Sequence, residues 1–182
     1  MTTTAARARK LVYRFDEGDA SMGDLLGGKG SNLCEMAHLD LPVPPGFVVS
    51  TEACREYFAR GQQAPEGLHE SIVENVHLLE KSMGRTFGSA SSPMLVSVRS
   101  GAKISMPGMM DTILNLGIND DVAQGLASMM GDERPAYDAY RRFLQIYANV
   151  VLGVEPEIFE QILFSWKARV RVTKDHELSP DH

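Results

Sequence analysis

The strongest constraint on the fold of this chain is the run Leu41-Pro-Val-Pro-Pro-Gly46. Three prolines in six residues remove backbone donors and force the residues before them into extended geometry, so the run can be neither helix nor central strand. It is expected to be a rigid connector with a different element on each side. Upstream, Leu33, Met36, Ala37 and the neighbouring Cys34 recur at helical spacing over residues 27–39, behind Gly27-Gly-Lys-Gly30. A glycine-rich turn therefore opens a helix. Downstream, Phe47-Val-Val49 reads as a strand, and Ser50 or Thr51 caps a helix to about Arg60, with Glu52 in its first turn.

The same reading extends over the rest of the chain. Leu11 to Phe15 is a short opening strand, followed by the acidic stretch 16–24. Residues 68–83 place Ile72, Val76, Leu79 and Met83 on one face of a long helix. Met94 to Val98 is β-rich, too short for a helix, and delivers Arg99 to the end of what reads as a buried strand. The stretch 103–112, with Pro107, Gly108 and three methionines, fits no regular period and is expected to be an ordered loop. Helices follow at 121–130, 134–151 and 156–170, then a polar tail. The expected class is α+β: an α/β lobe over residues 1–118, with a mixed or parallel sheet covered on at least one face, then an all-helical subdomain over 119–182.

Composition removes several function classes. Eighteen Lys and Arg against 24 Asp and Glu give a net charge of −6, which leaves no nucleic-acid footprint, so any anion must be captured locally. No run approaches 18 apolar residues, and the segment after Lys10 cannot serve as a signal-peptide core, so no membrane partner is expected. The two cysteines, Cys34 and Cys54, form no metal-spaced pair, and a reduced, cytoplasmic chain is the expectation. None of the five histidines has a nucleophile or metal-ligand companion at meaningful spacing, so structural or surface roles are expected for them and no protein-held metal.

Two single cations and one arginine pair remain as candidates. Gly23 to Gly30 nearly spells a phosphate-binding loop, but the residue after Lys29 is glycine where a magnesium-binding hydroxyl is required. Consecutive glycines, a helix start and Lys29 still suit an anion; a glycine-rich helix entry with a solvated lysine suits the residues equally well. Arg99 stands where open α/β sheets place ligands, and can fork onto a phosphate or pair with a carboxylate such as Asp111. Arg141 and Arg142 are adjacent on a helix and point about 100° apart, so only one of them readily faces a cleft.

Together, Gly27-Gly-Lys-Gly-Ser-Asn-Leu-Cys-Glu-Met36, Leu41-Pro-Val-Pro-Pro-Gly-Phe47, Thr51-Glu-Ala-Cys54, Leu95-Val-Ser-Val-Arg-Ser-Gly-Ala102 and Ser105-Met-Pro-Gly-Met-Met-Asp-Thr-Ile-Leu-Asn-Leu-Gly117 resemble the pyruvate, phosphate dikinase family. The likeness covers roughly residues 12–154, and the run 105–117 separates it from the related phosphoenolpyruvate synthases. The resemblance implies a partial ATP-grasp-like fold, followed by a small helical subdomain. It implies phosphoryl transfer from ATP to phosphate and pyruvate, giving AMP, pyrophosphate and phosphoenolpyruvate through a phosphohistidine on a separate domain. By position it places Lys29, Arg99 and Arg142 at ATP phosphates, with Gly108 and Met110 offering backbone N–H groups. Lys103 stands where the family usually has arginine. Magnesium ligands, the second half of the nucleotide site and the phosphohistidine would lie beyond His182, so no complete catalytic set is expected here, and the full-length family is expected to be a homodimer. The competing expectation is a non-catalytic folding or partner-binding module, or a synthase-like relative.

Overall fold

The computed structural model describes residues 10–101 and 112–181, and its described residues fall into two compact units, 10–84 with 100–101 and 85–99 with 112–181. The first unit opens with strand β1 (Val12–Arg14) and two single-turn 3-10 segments, Phe15–Glu17 and Ala20–Met22, which take up the acidic stretch. Helix α1 (Gly23–His38) precedes the proline connector, and β2 (Phe47–Val49) pairs antiparallel with β1, Tyr13 opposite Val48. Helices α2 (Thr51–Ala59) and α3 (Leu68–Met83) complete the unit. The connector is irregular, as three prolines require. Gly46 accepts a hydrogen bond from the Phe15 N–H at 3.1 Å, and a Cβ at Gly46 would lie 2.6 Å from the Phe15 ring.

Local sequence sets these boundaries. Ser50 is fully buried and its Oγ accepts from the Ala53 N–H at 3.3 Å, the N-cap expected for α2. Thr51 Oγ1 donates to the Asp24 carbonyl at 2.7 Å and ties the start of α2 to the start of α1. On α3, Ile72, Val76 and Leu79 are half-buried, whereas Met83 at the end of the face is 46% exposed. Leu11, Val12, Leu26, Cys34 and Ala53 form the buried apolar set of this unit. Burial pushes the Cys34 thiol above its ordinary value, which marks it as packing rather than chemistry.

The second unit contains two short strand pairs and three helices. Strands β3 (Thr86–Phe87) and β4 (Pro93–Met94) pair in parallel; β5 (Val96–Arg99) and β6 (Thr112–Leu116) pair antiparallel, with an irregularity between Val96 and Val98. Helices α4 (Asp120–Met130), α5 (Glu133–Leu152) and α6 (Pro156–Val170) follow, capped by Asn119 and Asp132 and opened by Pro156 respectively. Ile118, Val122, Ala123 and Phe143 make its core, and Leu95, Ile113 and Leu116 from the strand region pack on that same core.

The α+β class holds, but the continuous mixed or parallel sheet does not. Among the described residues there are three separate two-stranded sheets, two of them antiparallel. Strands of two to five residues each find one partner and bury their apolar side chains on helices rather than on further strands.

Candidate functional site

The glycine-rich segment of α1 is a kinked helix. Gly27 has φ 72° and ψ 163°, and helical geometry stops and restarts across it. Only glycine adopts that combination readily, so the residue type permits the break. The helix restarting at Gly28 has first-turn N–H groups that a regular ladder leaves without partners, and Lys29 stands within that turn. Ser31 Oγ donates to the Gly27 carbonyl at 3.0 Å, with the Gly28 carbonyl at 3.3 Å, and braces the kink from inside. Gly30 is buried against β2: a Cβ there would lie 3.0 Å from both Val48 methyls and 3.2 Å from Leu26 Cβ. Lys29 is half-buried and has no ion-pair partner among the described residues. The segment is thus a glycine-built helix restart that carries a half-buried cation.

Arg99 is the last residue of β5, opposite Thr112. Its strand is not buried: Ser97, Val98 and Arg99 are exposed, because a two-stranded hairpin leaves an edge and a face uncovered. Arg99 has no ion-pair partner among the described residues. Asp111, the carboxylate considered for it, lies outside the described residues, as do Gly108, Met110 and Lys103.

Arg142 and its neighbour Arg141 sit on α5 and share one carboxylate. Asp138 is three residues before Arg141 and four before Arg142, the two spacings at which side chains meet on a helix surface. Arg141 donates from Nε (3.2 Å) and Nη2 (2.8 Å) to Asp138 Oδ1, and Arg142 donates from Nε to Oδ2 at 2.9 Å. Arg141 also reaches Gln145 at 3.2 Å and lies 3.8 Å from Asp175. Burial pushes the Asp138 carboxyl up, but the hydrogen bonds and charges of the two guanidiniums outweigh it and hold the group below the usual carboxylate range. Arg141 is 32% exposed and Arg142 63%, so Arg142 is the outward member of the pair. The sequence reading does not single out Asp138; the signal that could find it is its i−3 and i−4 spacing from two consecutive arginines.

Asp175 closes this cluster. Its carboxylate takes a hydrogen bond from Lys167 Nζ at 2.9 Å, and its carbonyl one from Arg134 Nη2 at 2.8 Å, which draws the polar tail onto α5 and α6. A surface depression of about 220 Å³ is bounded by β1 and α3, from Lys10 and Arg14 to Glu74 and Leu78, and contains none of the candidate residues. His38, His69 and His77 are exposed, and His77 Nδ1 is 2.8 Å from Glu80. No group of three or more His, Cys, Asp or Glu among the described residues could hold a metal ion. No described helix is long and apolar enough to cross a membrane.

Residues 23–66, which include the Gly27 kink, Lys29 and the proline connector, match the family model described as pyruvate phosphate dikinase, AMP/ATP-binding domain. The chain is 52% identical over 174 residues to pyruvate, phosphate dikinase of Rhizobium meliloti (strain 1021), covering 93% of this chain and 19% of that protein. It is 51% identical over 172 residues to the Clostridium symbiosum protein of the same name, covering 94% and 20%. It is 53% identical over 176 residues to the chloroplastic pyruvate, phosphate dikinase of Mesembryanthemum crystallinum, covering 94% and 18%. The chain therefore spans about a fifth of the length of the curated relatives it matches.

Proposed function

We propose that this chain is a nucleotide-binding part of a pyruvate, phosphate dikinase, holding ATP while its phosphoryl groups are passed to phosphate and, through a phosphohistidine elsewhere in the longer protein, to pyruvate. The observation that carries the reading is the likeness itself: about half of the residues are identical over more than nine-tenths of this chain, and the AMP/ATP-binding family model covers the kinked glycine segment. The proposed fold is a partial ATP-grasp, with the helices from Asp120 onward as its helical subdomain.

The proposed phosphate contacts are Lys29, Arg99 and Arg142, with backbone N–H groups of Gly108 and Met110. Phosphoryl transfer asks little covalent chemistry of the protein; positioning and neutralising charge spread over phosphate oxygens carry most of the catalysis. The described cations are suited to neutralising such charge, since Lys29 and Arg99 are not engaged by a described carboxylate and Arg142 is engaged only through Nε. Magnesium would neutralise phosphate charge when bound, and its ligands are proposed to lie in the remainder of the longer protein, as the family resemblance implies. A cytoplasmic location and a homodimeric full-length protein belong to the same proposal.

An ATP-grasp site is closed by two halves, so ATP is expected to bind this chain alone more weakly than micromolar, and Lys29→Ala to weaken it by a further 10-fold or so, the value of one charge-assisted contact. Isothermal titration with ATP and magnesium measures both. Submicromolar binding refutes the two-half argument, and an unchanged Kd in Lys29→Ala removes Lys29 from the site.

A further inference from the structure

We infer that Asp138 is a positioning residue for Arg142, holding its guanidinium by Nε so that both terminal nitrogens face outward for a phosphate; this rests on the reading of Arg142 as an ATP contact. An arginine beside a carboxylate ordinarily closes a two-pronged fork on it. Here Arg141 occupies Asp138 Oδ1 with both Nε and Nη2, so Arg142 reaches only Oδ2, and only through Nε at 2.9 Å. Arg142 Nη1 and Nη2 therefore have no acceptor among the described residues, on a side chain 63% exposed. Arg141 is committed elsewhere as well, to Gln145 and toward Asp175. Arg141, Arg142 and Lys167 against the carboxylates of Asp138 and Asp175 leave the cluster with a surplus positive charge, so the tether does not cancel the attraction for an anion.

A tether of this kind acts by removing rotamer freedom before the ligand arrives. Ordering one long side chain in advance is worth about 2- to 10-fold in affinity. The test is ATP titration of the 182-residue chain at constant ionic strength, as wild type, Asp138→Ala, Arg142→Ala and the double variant. Asp138→Ala is expected to weaken ATP binding about 2- to 10-fold, and the double variant to bind no more weakly than Arg142→Ala. A loss that persists in the Arg142→Ala background, or tighter binding in Asp138→Ala, overturns the inference; the latter would make Asp138 a competing anion. Weaker binding in Arg142→Ala with Asp138→Ala silent overturns the tether alone, whereas an unchanged Kd in Arg142→Ala overturns the role of Arg142 with it. Nitrogen-15 NMR of the unliganded chain reads the tether directly and needs no folded Asp138→Ala. An exchange-protected Arg142 Nε–H, assigned by its loss in Arg142→Lys, is expected in wild type and weakened in the isosteric Asp138→Asn; its absence from wild type refutes the tether.

Discussion

Gly125 lies in the middle of α4, where replacing glycine by alanine ordinarily stabilises a helix by about 0.5–1 kcal/mol. In this protein the opposite sign is expected. A Cβ built at Gly125 runs into the Ala90 carbonyl oxygen and lies 2.7 Å from the Ala90 carbonyl carbon and 2.9 Å from its Cα. These are backbone atoms, so no rotamer change relieves the overlap; either α4 or the segment between β3 and β4 must move. Overpacking of this sort costs typically about 1–3 kcal/mol, and contact with backbone belongs at the upper end. Subtracting the helix gain leaves a net loss of about 2 kcal/mol, or roughly 4–8 °C in Tm for a chain of this size. Thermal unfolding followed by circular dichroism, with Gln124→Ala as the exposed neighbouring control expected within about 0.5 kcal/mol of wild type, measures it. A rise in Tm for Gly125→Ala would refute the close approach of α4 to Ala90. The consequence reaches the candidate site, since that segment leads through β4 and β5 to Arg99.

Further expectations concern caps and charge. Ser50→Ala removes a fully buried cap acceptor from the Ala53 N–H and should lower stability by about 1 kcal/mol in denaturant titrations; no change would mean that α2 is capped otherwise. The carboxyls of Glu17, Asp138 and Asp175 are all held below their ordinary values: for Glu17 burial is outweighed by Lys10 and the Arg14 N–H, for Asp138 burial is outweighed by Arg141 and Arg142, and for Asp175 the Lys167 hydrogen bond leads. A depressed folded value means that the unfolded chain takes up protons first, so this stability is whole above the unfolded carboxylate value near pH 4 and is lost as pH falls below it. Asp138→Asn should therefore show a shallower fall of Tm between about pH 4 and pH 2 than wild type; parallel curves would sink that assignment.

Helices are the most legible part of the fold. Periodic apolar positions and local caps predict 68–83, 121–130 and 156–170, and the structure has α3, α4 and α6 within a residue of those bounds. Such signals act within a few residues of each other, so they survive without knowledge of the rest of the chain. The sheet is not legible in the same way, because the partner of a strand is chosen across the chain. Met94 to Val98 reads as a buried strand ending at Arg99, yet the one described partner of β5, β6, leaves Ser97, Val98 and Arg99 open.

The candidate site divides along the same line. The residue types determine by themselves that a glycine-rich turn carrying a cation stands at residues 27–30 and that residues 41–46 are neither helix nor strand, since glycine and proline act through their own backbones; which glycine breaks the helix they leave open. Tertiary structure alone decides that Gly30 is the contact surface of α1 on Val48, that β6 and Leu95 share a core with Val122 and Phe143, and that Ala90 needs a glycine at 125. It decides as well that Arg141, drawn toward Asp175 in the tail, is the half-buried member of its pair while Arg142 faces outward. These are close approaches between residues distant in the chain, and packing at contact distance is a property of the assembled fold.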